Sequence, residues 1–135
     1  MEISLSSFKR GFGLKELLSD DLNEYWCTEE LLPHLLVISF PKLTYVFSLR
    51  LTLNFIQDDS YTPEKFILYY NNKYREIEYN EPNIEAELLV CAHVFDIYLT
   101  IVENHSEGKD SHVRRLRVME SLSEEIKFDY SIFDK

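Results

Sequence analysis

The chain has 135 residues and a formal net charge of -10, from 24 acidic against 14 basic residues, and is 45% hydrophobic and 14% aromatic. That length fits one domain that buries about two-thirds of its unfolded surface, and the composition excludes an intrinsically disordered segment. The acidic balance excludes a surface built on phosphate neutralisation, so nucleic acid is not expected as the main partner.

In chain order, Met1 to Arg10 carry no apolar stretch long enough for a signal peptide, and no later segment approaches a membrane span. No membrane association is expected, and the location is expected to be nucleus and cytoplasm. A short helix near Leu14 to Leu18, just after Gly11-Phe12-Gly13, closes one end of the domain. Trp26, the only tryptophan, follows a polar turn and reads as a core anchor. The other reading is an exposed stacking platform beside Tyr25. Cys27 and Cys91 match no zinc spacing and are expected as reduced structural thiols.

His34 to Phe40 reads as a strand. From Tyr45 to Phe55 the odd positions Tyr45, Phe47, Leu49, Leu51, Leu53 and Phe55 are apolar and Ser48, Arg50, Thr52 and Asn54 polar, the period of two of a half-buried strand. Phe66 to Tyr70 and Arg75 to Tyr79 flank Asn71-Asn72-Lys73, where asparagine suits a tight hairpin turn. Glu87 to Ala92 reads as another strand, and Phe95, Ile97, Leu99 and Ile101 alternate with Asp96, Tyr98 and Thr100 in the next. Val113 to Met119 is the last, with Arg114, Arg115 and Arg117 expected on a solvated face. Short strands with turn signals at Pro41, Asp58 to Pro63, Asn80 to Pro82 and His105 to Gly108, and no long stretch at period 3.6, predict an all-β antiparallel sandwich or barrel.

The domain is expected to span 1–119, with 120–135 as a C-terminal tail. Ser121-Leu122-Ser123-Glu124 has the capping-box pattern and predicts a helix of one or two turns. Phe128, Tyr130, Ile132 and Phe133 then lie in an acidic segment that either folds back on the sandwich or binds a partner groove.

Two polar loops, Asp58-Asp59-Ser60-Tyr61-Thr62-Pro63 and Asn104-His105 through Gly108 to Asp110, Ser111 and His112, locate the expected working surface, because loops on a rigid scaffold carry recognition. The same residues have a purely structural reading, in which Asn104, Asp110 and Ser111 cap strand ends and Gly108 is a turn residue needing positive φ. Both roles are compatible. No HExxH or paired CxxC motif accompanies the histidines, so neither catalysis, a bound metal nor a cofactor is expected.

The chain resembles the DOC domain family of the anaphase-promoting complex, a cullin-RING ubiquitin ligase. The resemblance runs through Ser4-Leu5-Ser6-Ser7, Gly11-Phe12-Gly13, Asp21-Leu22-Asn23-Glu24-Tyr25-Trp26, Pro33-His34-Leu35, Asp59-Ser60-Tyr61-Thr62-Pro63, and Asn104-His105 through Gly108, Asp110 and His112-Val113-Arg114, over roughly residues 3 to 119. It implies a jelly-roll β-sandwich of the galactose-binding-domain-like superfamily with a short N-terminal helix. It also implies a non-catalytic subunit that helps a WD40-propeller co-activator hold destruction-box substrates and promotes processive ubiquitination in the cell cycle. By position, Ser60, Tyr61, Asn104, His105, Asp110 and His112 are the implied degron-binding residues, supported by Asp58, Asp59 and Gly108, with the acidic pair favouring a basic degron. The implied partners are the cullin-like scaffold and helical-repeat subunits, the co-activator and the substrates. Where the family ends in an Ile-Arg tail, this chain ends Ile132-Phe133-Asp134-Lys135. The alternative function is a carbohydrate or small-ligand binding module, for which these two loops offer Tyr61 as the aromatic platform.

Overall fold

The computed structural model describes residues 1–127. In chain order it contains β1 (Glu2–Leu5), α1 (Leu14–Leu17), β2 (Trp26–Cys27), β3 (His34–Asn54), α2 (Phe55–Asp58), a 3-10 turn (Asp59–Tyr61), β4 (Pro63–Tyr70), β5 (Lys73–Glu78), β6 (Asn83–Asn104), a second 3-10 turn (His105–Glu107), β7 (His112–Val113) and β8 (Arg115–Met119). All strand pairs are antiparallel. The order is β1-β3-β6-β4-β5, with β8 also on β3, and β2 pairs with β7.

The four middle strands expected from sequence are two long ones, because Pro41 does not end the strand. It sits in an exposed bulge where the pairing jumps from Ser39↔Asp96 to Thr44↔Val94, so its missing N–H removes no ladder hydrogen bond. On one side of this bulge β3 pairs with β1 and the end of β6. On the other it pairs with β8 and the start of β6. Leu36, Ile38, Leu49, Leu51, Leu53, Leu88, Ile97, Leu99, Ile101, Leu116 and Val118, drawn from both halves, share one buried cluster. Each long strand thus serves both layers of a β-sandwich.

Bulges also shift the phase of the alternation. A second irregularity lies between Val46 and Ser48, near Cys91, whose φ is 50°. Val46 and Leu49 are therefore both buried while Tyr45 is exposed, against the simple period of two. Phe95 is likewise outside, 55% exposed, because Val94 and Ile97 take the inward positions on either side of it. Phe55 leaves the strand altogether and opens α2.

The hairpin is a two-residue turn, with Asn71 and Asn72 at φ 50° and 60° and Lys73 already paired with Tyr70. α1 buries Leu17 completely, and the Glu16 carboxylate accepts the Gly13 N–H at 2.8 Å. Trp26 is a core residue, 1% exposed, with its indole N–H donated to the Ser7 carbonyl at 2.9 Å. Both cysteines are free; Cys27 is buried and Cys91 exposed on the bulge, so only Cys27 is a core thiol.

Two expectations near the C-terminus are corrected. Ser121 accepts the Glu124 N–H at 3.0 Å, as a cap would, yet no helix follows among the described residues. Glu124 returns its carbonyl to the Glu120 N–H, and the chain doubles back so that Ile126 N–H reaches the Val118 carbonyl at 2.7 Å. A closed turn therefore lies along β8, and Ile126 packs on the core. The expectations for Phe128, Tyr130, Ile132 and Phe133 fall outside the described residues. Arg114 is not on a solvated face: β7 and β8 separate at this residue, and it is buried.

Candidate functional site

Asp58 ends α2, and Arg114 and His112 come from the β7–β8 segment. Asp58 is 3% exposed. Its carboxylate accepts Arg114 Nε at 3.0 Å and Nη2 at 2.6 Å, and lies 3.1 Å from His112 Nδ1. Arg114 Nη1 donates to the Leu22 carbonyl at 2.7 Å, and its guanidinium lies 4.9 Å from the Tyr25 ring centre. Burial pushes the Asp58 carboxyl upward, but the hydrogen bonds from His112 and Arg114 outweigh it and hold the group below its ordinary range. Asp58 was expected to offer negative charge to a ligand; its charge is instead consumed inside the domain, and Asp59 alone of the pair is exposed.

A second polar knot joins the other loop to β2 and β3. Asn104 Nδ2 donates to the Asp110 carbonyl and its Oδ1 accepts the Ser111 hydroxyl, both at 2.6 Å. The Thr28 hydroxyl accepts the Ser111 N–H at 2.8 Å, and His34 Nε2 lies 2.7 Å from the Lys109 carbonyl. Asn104 and Ser111 are buried and hold the loop rather than face outward. His105 is buried too, edge-on to Phe55 at 5.0 Å, with no hydrogen-bond partner for Nε2 among the described residues.

Gly108 locks the two loops together. A Cβ there would lie 1.8 Å from the Ser60 carbonyl oxygen, so the backbones touch where any side chain would intervene. Its φ is -61°, so close approach rather than positive φ requires glycine. The positive φ values of this turn belong to Ser106 and Glu107.

Two concavities flank these loops: one of about 470 Å³ along Asn104, Ser106, Gly108 and Lys109, and an aromatic groove on the other side. Phe12 and Tyr25 lie 5.0 Å apart, Tyr25 and His112 4.3 Å, and His112 stacks on Tyr61 at 4.4 Å and 13°. With Lys9 and Cys27 these rings line a concavity of about 300 Å³. Tyr61 and Phe12 are exposed. The Cys27 sulfur and the Asp110 carboxylate raise the Lys9 ammonium above its usual range, and Asp110 Oδ2 lies 3.5 Å from Lys9 Nζ. Burial pushes the Cys27 thiol up, which suits a packing role. Exposed Glu29 is close enough for its charge to be felt at Cys27, and exposed Asp59 lies in the same 3-10 turn as Tyr61, so carboxylates flank the Lys9 cation of the groove.

Of the residues expected at the site, Tyr61, His112 and Asp110 reach this groove or its edge. Asp58 holds His112 and Asn104 holds the Asp110 turn, Asn104 and Gly108 line the neighbouring concavity, and Ser60 supplies the backbone that Gly108 meets. Sequence reasoning missed Lys9 and Phe12 as site residues, since they enter from the N-terminal loop. Tyr25 was half legible, as the ring beside Trp26.

The fold is a jelly-roll β-sandwich with a groove at one loop end. Among solved structures, a family 32 carbohydrate-binding module from C. perfringens NanJ in complex with galactose matches at TM-score 0.69 and 16% identity, over 87% of this chain and 91% of that one. The CBM32-5 module of CpGH89, in complex with GalNAc-β-1,3-galactose, matches at TM-score 0.68 and 14% identity, over 87% and 93%. These likenesses concern the fold alone. The chain belongs to the family described as anaphase-promoting complex, subunit 10 (APC10), whose model matches residues 1–131. Anaphase-promoting complex subunit 10 of Homo sapiens and of Mus musculus are each 31% identical over 133 residues, covering 90% of this chain and 72% of theirs. Anaphase-promoting complex subunit DOC1 of Saccharomyces cerevisiae is 28% identical over 130 residues, covering 84% and 51%.

Proposed function

We propose that this chain is a non-catalytic subunit of an anaphase-promoting complex and that its aromatic groove faces the substrate. In this reading it works with a WD40-propeller co-activator to hold destruction-box peptides in the nucleus and cytoplasm, and ubiquitin transfer occurs on other subunits. The observation that carries the reading is the family match over residues 1–131. Two features of the site support the peptide-facing role. The contiguous rings of Phe12, Tyr25, His112 and Tyr61, the last two stacked and the others tilted, offer a partly apolar floor for an extended segment. The exposed Glu29 and Asp59 carboxylates beside it favour a basic peptide by local potential.

An open groove of this size holds a peptide weakly. Affinity then comes from a second receptor holding the same peptide, through effective concentration. The test is to assemble the complex with Phe12→Ala and Tyr61→Ala chains and measure substrate capture and the number of ubiquitins added per binding event. Normal assembly with shortened ubiquitin chains supports the reading. Unchanged processivity with both rings removed sinks the groove as the substrate-facing element.

A further inference from the structure

The sandwich has an open sheet edge that is separate from the loop-end groove. β8 lies at one edge, and the returning chain covers it through the Met119↔Glu125 bridge and the Ile126 to Val118 hydrogen bond. β1 and β5 end the path β1-β3-β6-β4-β5; of these β5 is the longer, pairs only with β4 among the described residues, and runs from Lys73 to Glu78 in unbroken register. No described strand lies along its outer side.

The two-residue hairpin fixes which groups are free. Tyr70 and Lys73 close the turn as a hydrogen-bonded pair, so Leu68↔Arg75 and Phe66↔Ile77 are hydrogen-bonded pairs too. The Tyr79 N–H donated to the Glu64 carbonyl at 2.8 Å continues the same series. The intervening residues, Tyr74, Glu76 and Glu78, therefore turn their backbone N–H and C=O groups away from β4. Their side chains share the outer face with Tyr69, Ile67 and Lys65, while Ile77 packs inward on the core.

Charge selects the occupant. Glu76 and Glu78 are exposed and make no ion pair within 4 Å among the described residues; Lys65, opposite Glu78 on β4, is bound by Glu103 at 3.4 Å and feels the Glu78 charge only in part, so Glu76 is the less compensated of the two. A second copy of β5 added antiparallel and centred on Glu76 would set glutamate against glutamate, which disfavours self-pairing. An extended segment with Lys or Arg two residues apart would place a cation opposite each glutamate. Beside them an outer-face trough of about 400 Å³, with Ile67 and Val102 in its floor, can receive the apolar stems of such side chains. At the other end Tyr74, 72% exposed, continues a row with Tyr69 and Tyr98 and can take an apolar or guanidinium neighbour.

The geometry points to β5 as a docking edge where a partner protein adds an extended, basic segment as a further strand, its alternate cations facing Glu76 and Glu78. The inference does not depend on the use of the aromatic groove.

The probe is a short blocked peptide alternating lysine with valine, compared with its glutamate counterpart and with a peptide of residues 128–135. Amide hydrogen exchange and amide chemical shifts are read on the whole chain. The expected result is slowed exchange at Tyr74, Glu76 and Glu78 with the lysine peptide only, while the amides of Arg75 and Ile77, already paired, change little. Glu76→Gln with Glu78→Gln should weaken binding on the order of fivefold, the size of two exposed cross-strand charge pairs. Glu76→Lys with Glu78→Lys should transfer the preference to the glutamate peptide. Glu76→Pro removes only an outward N–H and leaves the β4 ladder intact, so it should abolish docking in a folded protein. Equal binding of both peptides, protection at the loop end instead, undiminished binding by Glu76→Pro, or equal protection by the 128–135 peptide would overturn the inference.

Discussion

Replacing Asp58 by Asn tests whether the loops are held by a buried ion pair. The substitution keeps the shape but removes the charge that faces both Arg114 nitrogens and His112 Nδ1. Arg114, 7% exposed, then carries a guanidinium with no counter-ion beside it. Breaking a buried pair by removing one partner costs about 3–5 kcal/mol, and the retained amide oxygen places this case near the lower end. Against a total of roughly 5–15 kcal/mol that is a large fraction, and for a domain of this size it lowers the melting temperature by about 10 °C.

The acid dependence of the same variant adds a second readout. Because the Asp58 carboxyl lies below its ordinary value of 3.8, the stability it contributes is complete above that value. It is lost as the pH falls through the lowered value of the folded state. The Asp58→Asn protein has nothing to titrate at this position, so the gap between the two proteins should close towards low pH in urea or thermal melts. A gap of less than about 1 kcal/mol at neutral pH, or one that stays constant through the acid limb, would refute the reasoning. Asp58→Leu combined with Arg114→Met should recover much of the loss, because an apolar pair leaves no unpaired charge.

Gly108→Ala forces the Ser60 carbonyl away, and a shift of that kind costs about 1–3 kcal/mol, read as a lowered urea midpoint. Asn104→Ala leaves the buried Ser111 hydroxyl without its acceptor and should cost about 1–3 kcal/mol in the same assay, so a loss of substrate capture in that variant would not by itself mark Asn104 as a contact. Leu17→Ala, at a fully buried position of α1, should cost about 2–5 kcal/mol. Tyr61→Ala, at an exposed ring, should leave the melting temperature within a few degrees of the parent while weakening peptide capture in the assembled complex.

The sheet was legible where one face of a strand is buried without interruption. Leu49, Leu51 and Leu53 alternate with Arg50 and Thr52, and the structure keeps that face. The same pattern misled at Tyr45 and Phe95, because a bulge changes the facing by one residue and leaves no compositional mark apart from Pro41. Asn71-Asn72 gave the hairpin because asparagine tolerates the left-handed conformation both turn residues adopt.

The site was less legible. Asp58 and Arg114 lie 56 positions apart, and nothing near either residue says that they meet. Read locally, Arg114 belonged with Arg115 and Arg117, and only the break between β7 and β8 turns it inward. The loops were found from their polarity, but polarity does not separate the residues that build a loop from those it presents. Asn104 and Asp58 proved to build, whereas Tyr61 is presented.

The most direct test of the central claim is affinity purification of the tagged chain from dividing cells of its source, followed by sizing and identification of the co-purifying proteins. The account predicts a large assembly containing cullin-like, RING and helical-repeat subunits, retained by the chain carrying Phe12→Ala and Tyr61→Ala. A free monomer with none of these partners would contradict it.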